Sequence, residues 1–275
     1  EDLKERLGFV AQGLRFRAGT VAAWIDMLQA VEKPGTDDAT IDWLEITRVD
    51  GREEDVGFYR AYIDPARLFA EKLRHQAHGV VITSATLRDP SPDDETGWQK
   101  PARRTGLGAL DPDQTHTRLF NIASPFNYTD QTRIIIVKDV QKDSIDDVSA
   151  AFRELFTASG GGALGIFTSI QRLSGAYDRL LPGLEARHLH LYAQHKDPLD
   201  VATLVDIFRD DENACLLGTD ATRDGIDVPG RALRLVVFDR VPWPRPTILH
   251  KARREALGGA AYDDSITRLR LKQAF

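Results

Sequence analysis

The sequence predicts an α/β protein: an open, parallel sheet flanked by helices, preceded by a helical and hairpin extension. Three observations predict it. Short apolar runs recur along the chain from residue 79, each the length of a strand buried on both faces. Stretches of helical periodicity fall between several of them, the alternation that builds parallel sheets. The first forty residues follow a different pattern, with apolar positions at helical spacing and no strand signal.

The elements follow in order. Leu3, Leu7, Val10, Leu14, Val21, Trp24, Leu28 and Val31 mark one long amphipathic helix or a helix pair over 1–31. Pro34-Gly35 and the acidic residues after it end that helix. IDWLEITRV and VGFYRAYI flank Asp50-Gly51, a hairpin signal over 41–61. Asp64 and Pro65 fit the N-cap and first position of a helix reaching about Gln76. Strands are expected at 79–85, 118–122, 132–137, 163–168, 188–192, 214–219 and 233–239. Helices are expected at 144–157, 169–181, 198–211, 247–257 and 263–275. The polar, Pro- and Gly-rich segment 88–117 reads as a long mobile loop with one short helix.

Composition narrows the function classes. Hydrophobic residues at 42% and charged residues at 28% fit a globular domain, and no apolar run reaches membrane-spanning length. The single cysteine, Cys215, excludes an internal disulfide or a cysteine-held cluster within these residues; it reads as a small buried apolar side chain in a cytoplasmic protein. A net charge of −6 weighs mildly against nucleic acid, although a local basic groove suffices to grip a single strand. No GxxxxGK[ST] phosphate loop, HExxH pair or GxSxG elbow occurs. Gly160-Gly161-Gly162 precedes an expected strand and reads as a turn. His188, His190 and His195 lack metal-ligand spacing and read as structural.

In open parallel sheets, ligands gather at the carboxyl ends of strands. Four expected strand ends carry small polar or charged residues: Ser84-Ala85-Thr86, Thr168-Ser169, Thr219-Asp220 leading to Asp224-Gly225-Ile226-Asp227, and Asp239-Arg240. Such hydroxyls and backbone amides either hold phosphates or cap the helices that follow. The residues alone leave both readings open.

Taken together and in order, these segments resemble the helicase motifs of the DinG and XPD families. VVITSATL (80–87) resembles motif III, SPFNY (124–128) the segment that follows it, and LGIFTS (164–169) motif IV. LLGTDATRDGIDVPG (216–230) resembles motif V and is followed by LRLVVFDRVPWPRP (233–246). RLKQAF (270–275) resembles the opening of motif VI. The resemblance spans about 79–275 and implies the second of two RecA-like motor domains of a superfamily-two DNA helicase. Residues 41–275 would form that motor, truncated within motif VI. Residues 1–40 would end an arch-like insertion between the motors.

The resemblance also implies chemistry. Asp224, Gly225 and Asp227 would couple the nucleotide cleft to DNA, and Gln273 would lie at the nucleotide. Thr168, Ser169 and Thr219 would contact the DNA backbone. Ser84, Ala85 and Thr86 would transmit closure between the motors. ATP and Mg2+ would be anchored by the first motor, which in many members also carries an iron–sulfur cluster. Single-stranded DNA and that first motor would be the partners, and travel would run 5′ to 3′, in DNA repair or replication.

The match departs from its family in two places. Ala221-Thr222-Arg223-Asp224 stands where the bacterial pattern has Ser-Phe-Trp-Glu, and the sequence ends at Phe275 before the Gly-Arg-x-x-Arg of motif VI. These residues alone are therefore expected to be inactive. A helicase-like nuclease and a non-catalytic RecA-like adaptor are the two alternatives.

Overall fold

In the computed structural model, the residues described are 2–32, 39–89, 91, 93–113, 115–219, 222 and 226–273. The chain divides into two compact units. One is Glu1–Asn121 with Pro244–Asp264, the other Ile122–Trp243 with Ser265–Phe275.

The first unit opens with α1 (Asp2–Glu32), a single 31-residue helix. Met27 on it is buried, while Leu7, Leu14, Trp24 and Leu28 remain exposed. The expected helix break at Pro34 to Asp38 lies outside the described residues. The hairpin follows: β1 (Thr40–Val49) pairs antiparallel with β2 (Arg52–Tyr62). Asp50 and Gly51 turn it, both with positive φ, as a tight two-residue hairpin requires. Trp43 stacks on Tyr59 across the pair, with ring centroids 5.2 Å apart. α2 (Pro65–Gln76) begins as expected, with the Asp64 carboxylate accepting from the Ala66 amide.

The segment 88–117 is more helical than the expected loop with one short helix. It holds α3 (Asp94–Thr105) and the single turn α4 (Leu107–Leu110). Residues taken as breakers serve as caps. Asp93 accepts from the amides of Glu95 and Thr96, and Gly106 closes α3 in the left-handed conformation. A Cβ at Gly106 would lie 2.4 Å from the Ala66 carbonyl oxygen, so α2 also passes too close for a side chain there. Pro101 is fully buried within α3. Arg104 ties the segment down by donating to the Leu87 carbonyl and the Asp89 carboxylate. The unit also takes in α9 (Ile248–Ala256) and the start of α10 (Ala260–Gln273).

The second unit holds the parallel sheet. Its strands are β3 (Ala163–Ile166), β4 (His190–Ala193), β5 (Ala214–Gly218) and β6 (Leu235–Phe238), in the order β4-β5-β3-β6. All neighbours are parallel. The short α5 (Tyr128–Gln131) and α6 (Ile145–Ser159) precede the sheet, and α7 (Ile170–Glu185) and α8 (Val201–Asp210) cross between strands. Alternation along the strands feeds two cores. Cys215 and Leu217 face Phe152, Phe156, Leu173 and Leu180. Leu164, Ile166 and Leu216 face Leu204, Val205 and Phe208 on the opposite side. The three glycines form the expected turn: all have positive φ, and a Cβ on Gly161 would sit 2.7 Å from the Asn213 backbone.

Three expected strands, 79–85, 118–122 and 132–137, are corrected: they are irregular and belong to no described sheet. Val81 is 91% exposed and Ile122 89%, and Ile134, Ile135 and Ile136 are exposed as well. An apolar run records what a segment must bury, not which strand lies beside it. The four-stranded sheet closes its own core without these segments.

Candidate functional site

The carboxyl ends of the four strands carry the polar loops of the second unit, and each is built by a local device. At β3, the Phe167 amide donates to the Gly218 carbonyl at 2.8 Å, joining the β3 and β5 exits. Ser169 is the N-cap of α7, its hydroxyl accepting from the Arg172 amide at 3.3 Å. Ser169 and Thr168 are half-buried. The hydroxyl of Ser169 therefore does cap a helix, and capping leaves its second lone pair available.

Gln194 stands at the exit of β4. Its amide donates to the Leu217 carbonyl at 2.9 Å. Its side-chain oxygen accepts from the Thr219 amide (3.0 Å), the Thr219 hydroxyl (2.9 Å) and the Thr222 hydroxyl (2.8 Å). Both donors of Thr219 expected to face DNA are thus engaged with Gln194. Thr222 is 1% exposed and also turns back, its amide donating to the Thr219 carbonyl. A Cβ on Gly218 would fall 2.3 Å from the Thr222 Cβ, so only glycine lets this turn close against the strand.

Beyond the turn, Asp224 and Gly225 lie outside the described residues. Asp227 is exposed, and among the described residues its carboxylate carries no hydrogen bond. Its backbone is held: the Asp227 carbonyl accepts from Arg209 at 3.3 and 3.4 Å, and Ile226 and Val228 on either side pack on the core. Anchored neighbours and an outward carboxylate suit a residue that meets a hydroxyl or a cation.

At β6, Asp239 is the most constrained charge of the edge. Its side chain is 0% exposed and accepts from Arg172 Nε at 2.7 Å and Nη2 at 2.6 Å. Hydrogen bonding to that carboxylate raises the Arg172 pKa against the opposing effect of burial. Arg172 also donates to the Lys142 carbonyl, as does Arg240, which in turn pairs with Asp143. Gln273, the last described residue of α10, is exposed.

The motif III residues belong to the first unit. Ser84 and Thr86 share a hydroxyl contact at 3.1 Å, and the Thr86 amide donates to Ser84 Oγ, a turn that leaves Ala85 exposed. Reading strand ends from sequence placed the fourth end of the sheet at this segment. The fourth strand is β4, and the residue missed at its exit is Gln194. Its signal was present: it is the polar residue directly after the apolar run ending HLHLYA. Arg172, also missed, lies one helical turn beyond the Ser169 cap. Among the described residues no group of three His, Cys, Asp or Glu side chains is placed to hold a metal ion. His190 pairs with Asp211 at 2.5 Å.

A parallel sheet with helices on both faces and polar loops along its carboxyl edge defines a RecA-like α/β domain. The helicase C-terminal domain family matches residues 152–275, the stretch that contains this edge. A relative from Mycobacterium tuberculosis, named ATP-dependent helicase DinG, is 31% identical over 218 residues, covering 76% of this chain and 30% of its own length. The 3'-5' exonuclease DinG of Bacillus subtilis is 29% identical over 229 residues, covering 80% of this chain and 23% of the relative. The ATP-dependent DNA helicase DinG of Photobacterium profundum is 24% identical over 217 residues, 72% of this chain and 29% of its own. The chain thus spans less than a third of each of these relatives. Residues 152–275 are thus similar to a helicase C-terminal domain, and most of the chain is similar to part of helicases named DinG.

Proposed function

We propose that this chain supplies the C-terminal motor of an ATP-dependent helicase that moves 5′ to 3′ on single-stranded DNA during repair or replication, as a cytoplasmic protein. The observation that carries the proposal is the pair of fixed points at Thr219 and Asp227. Thr219 leaves the centre of the sheet tied to Gln194, and the Asp227 backbone is held by Arg209 while the residue is exposed. Facing a polyanion, the Asp227 carboxylate would repel phosphate; it suits a ribose hydroxyl of ATP or an arginine or lysine of the first motor. Asp224, Gly225 and Gln273 share the nucleotide side in this reading. Thr168, Ser169 and the loop at Thr219 face the DNA backbone, and Ser84, Ala85 and Thr86 carry closure between motors.

ATP and Mg2+ are held chiefly by the first motor, because these 275 residues contain no phosphate loop. An iron–sulfur cluster, in a protein that has one, also belongs outside them, since the single cysteine is buried in the core. Residues 1–40 close an arch-like insertion in this reading, and the second motor begins within 41–275. The partner motor is supported by the exposed apolar runs at 79–85, 118–122 and 132–137, which have the composition of parallel strands and no described sheet to join. No helix among the described residues is long and apolar enough to cross a membrane.

The test uses a polypeptide that joins this domain to its first motor. Asp227→Ala should lower kcat for DNA-stimulated ATP hydrolysis about tenfold or more while the melting temperature stays within a few degrees. Loss of hydrolysis only in proportion to a large drop in melting temperature would make Asp227 a loop-stabilising residue and remove the main support. The name of the Bacillus subtilis relative favours a second reading, a helicase-like nuclease. Digestion of labelled single strands by the same preparation would select it.

A further inference from the structure

We infer that α1 carries a coiled-coil seam for a helix that lies outside these 275 residues in the same polypeptide, and that this helix places a carboxylate opposite Arg17. The inference rests on the reading of the chain as part of a longer helicase.

The seam shows in the spacing. Leu3, Leu7, Val10, Leu14, Arg17, Val21, Trp24 and Leu28 are separated by alternating steps of four and three residues. That alternation keeps one stripe of a helix facing a partner helix over many turns. Every residue of the stripe except Arg17 is apolar, and each of these apolar side chains is half or more exposed.

α1 has a second apolar face, and that one is used. Phe16, Thr20, Ala23 and Met27 line a groove against Phe58 and Tyr59 of β2, and Met27 is buried. At about 100° per residue, these four helix positions share one side of α1, and Leu3, Leu7, Val10 and Leu14 share the opposite side. The hairpin therefore leaves the stripe open. Gly8, Gly13 and Gly19 also lie inside α1 and weaken it as an unsupported helix. Such a helix draws its stability from packing.

Charge selects the occupant. Arg17 stands within the stripe, and Lys4 and Arg6 flank its first turn. Between residues 3 and 28 no acid occupies the stripe or the positions beside it; Glu5 and Asp26 point away from it in helical register. A second copy of α1 would meet Arg17 with Arg17 in a parallel pair, or with apolar residues in an antiparallel one. Either arrangement buries a guanidinium without a counter-charge, which is costly. A partner helix with an acid at that level removes the cost and fixes the register of the pair. The match covers only 23–30% of the DinG relatives, so a polypeptide of their length has chain outside these residues to supply that helix.

Hydrogen exchange of the α1 amides tests this in the 275-residue chain and in the polypeptide that joins this domain to its first motor. The longer polypeptide should slow exchange across residues 7–24 about tenfold or more relative to the shorter one. Arg17→Glu and Leu14→Gln should each abolish most of that gain, and Arg17→Lys should keep it. All three introduce good helix formers, so none should change α1 exchange in the 275-residue chain, where the stripe is open. Phe9→Ala, off the stripe, should leave the gain intact. No gain in the longer polypeptide would overturn the inference. A gain that survives Arg17→Glu would overturn the carboxylate partner. Sedimentation of the 275-residue chain as a dimer that Leu14→Gln dissociates would assign the stripe to a second copy and overturn it as well. A longer polypeptide without DNA-stimulated hydrolysis would refute the motor reading alone, and the exchange comparison would still decide the seam.

Discussion

Replacing Asp239 by alanine deletes the two carboxylate oxygens that accept from the Arg172 guanidinium at the carboxyl edge of the sheet. The carboxylate is wholly buried, with contacts of 2.6 and 2.7 Å, while Arg172 retains 18% exposure. Removing one partner of a buried pair costs about 3–5 kcal/mol, against about 0–1 kcal/mol for a surface pair. The residual exposure of Arg172 and its surviving bond to the Lys142 carbonyl lower the expectation to the bottom of that range, about 3 kcal/mol. Asp239→Asn keeps one acceptor and should cost about 1–2 kcal/mol. Native-state hydrogen exchange of the β3 and β6 amides reads this unit separately from the first. A loss of about 3 kcal/mol speeds their exchange roughly 100-fold. Because buried pairs often do no better than apolar groups of similar size, Arg172→Met with Asp239→Leu should return to within about 1 kcal/mol of wild type. Acceleration below about fivefold in Asp239→Ala would mean the pair behaves as a surface contact, and the burial argument would be refuted.

Other outcomes follow from single sites. Gly218→Ala must push the Thr222 side chain, whose Cβ would be 2.3 Å from the new methyl, and should cost about 1–3 kcal/mol in the same exchange measurement; a neutral result would show the turn to be loose. Burial pushes the Cys215 thiol up to about 12, so thiol reagents at pH 8 should leave it unmodified until the chain unfolds, and labelling at the rate of a free thiol would contradict its place in the core. In the hairpin, hydrogen bonding from Arg60 lowers the Asp42 pKa despite partial burial. A depressed carboxylate stabilises the fold above its unfolded value and loses that contribution as pH falls through the folded one. The stability gap between wild type and Asp42→Asn should therefore be about 0.2–1 kcal/mol near pH 7 and close below about pH 4; a gap that persists in acid would assign it to packing.

The sequence by itself determined the elements whose signals are local. Asp50-Gly51 set the hairpin turn, Asp64-Pro65 the start of α2, and the apolar runs at 163–166 and 214–218 the central strands, because caps, turns and periodicity act within a few residues. Motifs in fixed order also carried the resemblance to DinG helicases, and the apolar run around Cys215 its burial. What the tertiary structure decided depends on which segments meet. Asp93 and Gly106 read as loop residues until their roles at the two ends of α3 are seen. The runs at 79–85, 118–122 and 132–137 look like the sheet strands, yet none pairs, because pairing depends on a neighbour that hydrophobicity does not name. Thr219 reads as a free phosphate donor until Gln194, twenty-five residues away in sequence, accepts hydrogen bonds from both its amide and its hydroxyl. The Arg172 and Asp239 pair spans sixty-seven residues and has no sequence signature. Hydrogen bonds and ion pairs are short-ranged, so their partners are fixed only once the strands have set the distances between loops.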